Sequence, residues 1–267
     1  MKKHLVMTLV ALAVFGSAAT AYFYWRHGPA KPVVAQANLP LPLPPVPVQP
    51  PPKPEVRQVV EPPPAPQPPL PDLDKSDRFM LDALAALIGN KSLMRLFDSE
   101  ALIHHIVATV DNLPRRIVPA NALPIDPPAG KFLVEGSDDA ATLSARNAAR
   151  YAPYVRIAEA VDAKKLVALY VRLYPLFQKA YETLGYPGQY FNDRLMQALD
   201  DLIAAPEIAE KIQLVRPKVY YLYADPELEK RSAGQKILMR MGGINERKVK
   251  TRLREIRQEL ALHLRQH

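Results

Sequence analysis

The sequence predicts a mainly α-helical domain with a small two-stranded β element, set behind an N-terminal transmembrane helix and a proline-rich linker. Three observations carry this reading. Residues 5–25 form a run of 21 residues without a charge, long enough to cross ~30 Å of hydrocarbon as a helix. Of the 29 prolines, 18 lie between Pro29 and Pro71, where absent N–H groups and fixed φ keep the chain out of helix and sheet interiors. From residue 72 onward apolar side chains recur every three or four residues, the spacing of a helix with one buried face. The organisation expected is a cytoplasmic tip at 1–4, a signal-anchor helix at 5–25, an extended linker at 26–71 and a helical domain at 72–267.

The apolar run ends in Tyr22, Phe23, Tyr24 and Trp25, rings suited to the headgroup layer, with Lys2 and Lys3 ahead of it. The positive-inside tendency then places the N-terminus in the cytoplasm and the rest outside. A cleaved signal peptide with Ala19-Thr20-Ala21 as its site is the rival reading, and it also exports the domain. In the linker, alternation such as Leu39-Pro40-Leu41-Pro42 favours polyproline II, ~3.1 Å per residue. It reads as a stiff spacer, with P-x-x-P recognition as the alternative.

The domain elements follow in order. Phe79 or Met80, then Leu84, Leu87 and Ile88, stopped by Gly89-Asn90, spell a first helix. A second starts at an Asp98/Ser99 cap, buries Leu102, Ile103, Ile106, Val107 and Val110, and ends before Pro114. Residues 114–136 hold four further prolines and read as a long segment that wraps the surface or forms a lid, with a short strand at 131–135. Helical spacing returns at 147–161, interrupted at Pro153. Asp162 then caps an apolar helix through Leu166, Leu173, Phe177 and Leu184, to be kinked by Pro175 and ended by Gly185. Another helix spans 192–204. Lys218-Val-Tyr-Tyr-Leu-Tyr is β-branched and aromatic, a strand expected to pair with 212–215. Asp225-Pro226-Glu227 opens a helix reaching Gly242-Gly243, and Asn245 caps the last one.

These strings, Tyr170-Val-Arg-Leu-Tyr-Pro-Leu-Phe-Gln, Leu184-Gly-Tyr-Pro, Tyr190-Phe-Asn-Asp-Arg-Leu, Val215-Arg-Pro-Lys-Val-Tyr-Tyr, Ala224-Asp-Pro-Glu-Leu-Glu and Ser232-Ala-Gly-Gln-Lys, resemble a bacterial family known only as domain of unknown function 3014. The resemblance covers roughly residues 73–257. It implies the architecture of anchor, linker and domain and a bacterial envelope setting; joined to the charge bias around the apolar run, the expected location is the bacterial inner membrane with the domain in the periplasm. It implies no mechanism.

Chemistry is sparse in the sequence. There is no cysteine, hence neither disulfide nor thiolate. His104 and His105 are helix neighbours ~100° apart and cannot share a metal, while Glu100 and His104 read as a surface pair. No Gly-rich phosphate loop, G-x-S-x-G or H-E-x-x-H occurs. Asp200-Asp201 point apart on a helix. Ser232 and Lys236, at i,i+4, offer a serine–lysine geometry without a recognisable oxyanion site. No catalytic residue, metal ligand or cofactor is assigned, and a non-enzyme is expected. An envelope enzyme with an unrecognised site is the alternative.

Two surfaces suit binding. Tyr186, Tyr190, Asn192, Asp193, Arg194 and Arg216 can converge as aromatic and polar groups. The helix stripe Tyr170, Tyr174, Phe177 and Tyr181 reads as core packing with hydroxyls at the edge, with sugar stacking as the alternative. The formal charge of +8 is concentrated at the ends, with 11 Lys/Arg and five Asp/Glu in residues 226–267. There Arg247, Lys248, Arg252 and Arg254 decorate an amphipathic helix whose apolar stripe is Val249, Leu253, Ile256, Leu260 and Leu264. The readings are a solvated face, or attraction to anionic lipid or acidic polymer. The expected partners are the membrane, through a single span, and peptidoglycan or an envelope protein. Nucleic acid is not expected, although Met239-Arg-Met-Gly-Gly-Ile before a basic helix keeps it as an alternative.

Overall fold

The computed structural model describes residues 69–137 and 140–265, together with the strand Val59–Val60 (β1). The expected transmembrane helix at 5–25 and most of the expected linker lie outside these residues. Among the described residues no helix is long and apolar enough to cross a membrane.

Nine α-helices order the described chain: Asp77–Ile88 (α1), Lys91–Met94 (α2), Leu102–Asn112 (α3), Asn147–Ala160 (α4), Ala163–Thr183 (α5), Phe191–Ile203 (α6), Pro226–Glu229 (α7), Ala233–Met241 (α8) and Gly243–Leu262 (α9). The strands are short and antiparallel: Val134–Glu135 (β2) with Thr142–Leu143 (β3), and Leu214–Val215 (β4) with Leu222–Tyr223 (β5). β1, inside the expected linker, pairs with Leu264–Arg265 (β6). The β4–β5 pair is the predicted two-stranded element. The bonds Leu143 N to Ile212 O and Leu214 N to Ala141 O join it to β3.

α5 is the central helix. It buries Val167, Val171, Leu173, Leu176, Phe177, Ala180 and Tyr181 and stays helical through Pro175. α3 packs on α5 and α6, and α9 packs across α4, α5 and α6. The main core joins Met80, Leu84 and Ile88 of α1, Leu102, Ile103 and Val107 of α3, and Leu173, Phe177 and Phe191. Each fully buried residue of this kind contributes about 1.5–3 kcal/mol of transfer free energy.

Five expectations are corrected. α4 is not interrupted at Pro153 but continues through it to Ala160. The Asp98/Ser99 pair does not cap α3. The carboxylate of Asp77, from α1, accepts from Ala101 N and Leu102 N, each at 2.8 Å. One continuous helix from 226 to 241 is instead two, because the Ser232 hydroxyl accepts from Gln235 N and starts α8 afresh. Asn245 is not a cap. α9 begins at Gly243, after Gly242 at φ 79°, and the Asn245 amide donates to Ala148 O and Met241 O. Leu264 leaves the helical stripe for β6. The 114–136 segment wraps the surface, as one of its two readings had it. The Arg150 guanidinium donates to the carbonyls of Pro128, Ala129 and Gly130, and the Tyr154 hydroxyl to Asp126 O.

Candidate functional site

The end of α3 meets the α5–α6 turn in a cleft of about 530 Å³, lined by Asp111, Arg115, Tyr181, Tyr186, Gln189, Tyr190, Asp193, Arg194 and Gln197. Asp111 is its floor, with a side chain only 6% exposed. A carboxylate in the last turn of a helix faces the negative end of the helix dipole, and burial adds a desolvation cost. Two guanidinium groups offset both. Arg115 donates from Nη2 to both carboxylate oxygens, at 3.1 and 2.9 Å. Arg194, brought in by α6, donates from Nε to Oδ1 at 3.0 Å. Both also donate to the Asp111 carbonyl, so they cap the C-terminus of α3 as well as neutralising its acid.

The Tyr186 hydroxyl closes this network. It accepts from Arg115 Nη2 at 2.6 Å and donates to Asp111 Oδ2 at 3.2 Å. Its ring stacks on Tyr181 at 4.7 Å between centroids. Burial raises the Tyr181 phenol above its ordinary value, and the Asp111 charge adds to the shift. The turn carrying Tyr186 is fixed by Gln178, whose amide donates to Gln189 O and accepts from Phe191 N.

Of the predicted cluster, Tyr186, Tyr190, Asp193 and Arg194 meet here. Asn192 does not. It is fully buried on the opposite face of the helical turn, where it accepts from the Tyr170 hydroxyl, because successive helical residues diverge by ~100°. Arg216 is also elsewhere, over the Tyr221 ring at 5.3 Å on the β4–β5 hairpin. Asp111, Arg115, Gln189 and Gln197 complete the cleft without any sequence motif pointing to a site, and Tyr181 joins them from the helix stripe. The i,i+4 spacing of Asp111 and Arg115 across Pro114 was the one available signal. The aromatic stripe is core: Phe177 and Tyr181 are buried, and Tyr170 and Tyr174 are partly so. Burial pushes both of those hydroxyls well above their ordinary pKa.

The basic surface of α9 is largely spent on the fold. Lys248 pairs with Glu159 at 2.8 Å. Arg252 bridges Glu255 and donates to Ala158 O and Glu159 O, closing the end of α4. Lys250, 4% exposed, donates to Ala205 O and pairs with Glu207 at 3.0 Å. Arg247 and Arg254 are exposed, and their field helps to lower the pKa of Glu207, whose main cause is the Lys250 bond.

The remaining candidates do not assemble. The Ser232 hydroxyl donates to Asp201 Oδ2 at 2.6 Å while Lys236 is held by Glu229, so the serine–lysine pair is not made. Asp200 pairs with Arg257 on the other side. Among the described residues no group of three or more His, Cys, Asp or Glu is placed to hold a metal.

Comparison with curated proteins and with solved structures finds no match. A family profile described as protein of unknown function (DUF3014) matches residues 102–257. That span opens on the first residue of α3 and takes in every residue of the Asp111 cleft, and the chain belongs to this family.

Proposed function

We propose that the protein is a non-catalytic envelope module, tethered by residues 5–25 and held off the bilayer by its proline-rich linker, whose domain binds cell-wall polymer in the Asp111 cleft. The observation that carries this reading is the cleft's construction. An opening of about 530 Å³ is lined by aromatic and polar side chains, within the ~300–1,000 Å³ usual for ligand sites. Asp111, Arg115, Arg194 and Tyr186 are locked to one another, so little entropy of these side chains is lost when a ligand arrives. The cleft lacks a paired nucleophile and base, and its carboxylate floor is committed to two arginines, which supports binding over turnover.

A protein partner is the second reading, and one observation favours it. Val215, Val219, Tyr220 and Leu222, all on the β4–β5 hairpin, are four of the eight exposed large hydrophobic side chains among the described residues. Such clustering marks interaction surfaces.

The test is retention of the purified full chain, in detergent, on isolated wall sacculi across a salt series. The cleft reading expects retention that falls only shallowly with salt, is lost in Tyr190→Ala, and is unchanged in Arg216→Ala. Retention that collapses with salt, or is abolished by changing Arg247, Lys248, Arg252 and Arg254 to glutamine, would transfer the activity to α9. Release of soluble wall fragments that one cleft substitution stops would replace the binding role with an enzymatic one.

A further inference from the structure

Resting on the cleft as the wall-binding site, we propose that what it recognises is a single carboxylate at the end of a peptide, taken by Nη1 of Arg115, and not a stack of sugar rings. Arg115 hydrogen-bonds through Nε and Nη2 only. Its Nη1 carries no hydrogen bond among the described residues, and the side chain is 48% exposed where it lines the cleft. The rest of the guanidinium is clamped by Asp111 and Tyr186. With Nε and Nη2 both engaged, Nη1 is the charged N–H donor left for a carboxylate oxygen.

The aromatic groups argue in the same direction. Tyr181 is buried, and Tyr186 has one face against it and its hydroxyl engaged at both ends of the Asp111–Arg115 pair. Tyr190 is then the remaining ring of the lining, too few for a sugar platform, which works by stacking successive exposed faces. Charge selects among anions. Arg115 and Arg194 face Asp111 and the exposed Asp193, so the lining is balanced at zero. A dianion such as phosphate would meet two carboxylates, whereas one carboxylate adds a single charge at the one guanidinium nitrogen that is open. Gln189 and Gln197 border the same space and supply amide groups for a peptide backbone.

The experiment uses the full chain in detergent with N-acetyl-D-alanyl-D-alanine, its C-terminal amide and inorganic phosphate as probes, read by calorimetry and by competition against sacculi. The free acid should bind and displace the protein from sacculi. The amide should be about tenfold to a hundredfold weaker, the range for a lost charged hydrogen bond. Arg115→Gln should erase the acid–amide difference, and Arg115→Lys should keep part of it. Should Arg115→Gln not fold, the acid–amide comparison on the unaltered chain decides. Equal affinity for acid and amide, or tighter binding of phosphate, overturns the carboxylate inference, and Tyr190-dependent retention on sacculi would still uphold the wall reading. Binding of the free acid without retention on sacculi upholds the inference and ends the wall reading, pointing to the C-terminus of a protein. If neither probe nor sacculi bind, both fall.

Discussion

Ala101 sits at φ 47°, among the described residues the one non-glycine in the left-handed region, and its strain is held by Asp77, whose carboxylate takes both its N–H and that of Leu102. Two predictions follow at this position. Ala101→Gly should stabilise the domain by up to ~1 kcal/mol, since glycine adopts this backbone without a Cβ penalty. Asp77→Ala should cost about 1–2 kcal/mol, as for other lost helix caps. Urea unfolding of each variant measures both. Glu246 gives a pH-dependent case. It is 2% exposed, and burial raises its carboxyl above the usual 4.5 despite Lys250 at 3.9 Å. The folded chain thus holds the proton more tightly than the unfolded one. The group's contribution is fully present below pH ~4.5 and is lost as pH rises through the folded value. Glu246→Gln should therefore be more stable than the unaltered chain at pH 7, and the gain should vanish below pH ~4.5. A gain that grows on acidification would mean that the Lys250 attraction outweighs burial. Asp111→Asn leaves Arg115 and Arg194 facing each other without their shared anion, at a cost of about 3 kcal/mol.

At the scale of elements, the helices were legible because their signals are local. Gly89 ends α1 at φ 66°, Asp162 caps α5 through Lys165 N at 2.9 Å, and Asp225 with Pro226 opens α7. What was not legible depended on residues distant in sequence. The cap of α3 comes from 24 residues upstream, and β3 is fixed by the Leu143 N to Ile212 O and Leu214 N to Ala141 O bonds, which no local pattern announces. The cleft divides in the same way. Tyr186, Tyr190, Asp193 and Arg194 share one turn and could be read together, while Asp111 is 83 residues from Arg194 and enters only through the packing of α3 on α6. Asn192 was misplaced because its neighbours on the same turn point the other way. A packing prediction belongs here. A Cβ on Gly234 would lie 2.5 Å from Leu202 Cδ2 and 3.2 Å from Leu113 O, so Gly234→Ala should push α8 away from α6 and the end of α3 and destabilise by about 1–3 kcal/mol. Because Gly234 N also bonds Leu113 O, the shift should reach Arg115 and weaken cleft binding alongside stability.

For the whole molecule, the sign of the charge distribution and its use differ. The excess of cations in residues 226–267 suggested an outward basic face, yet Lys248, Lys250, Arg252 and Arg257 turn to acids and carbonyls of α4, α6 and the segment after it. Composition registers charge but not its partners, and a helix packed against three others finds many. The expected topology adds its own forecast. A reporter active only outside the cytoplasm, fused after His267, should be active, and activity of a cytoplasm-only reporter there would reverse the orientation and revive the nucleic-acid reading.

A photo-crosslinking amino acid placed at Tyr190 in growing cells tests most directly the proposal that the Asp111 cleft meets cell-wall polymer. Illumination, digestion of the wall and mass analysis of the recovered chain should yield wall fragments attached at position 190 and none when the same group replaces Arg254. Attachment at 254 alone, or at 190 to cytoplasmic components only, would contradict it.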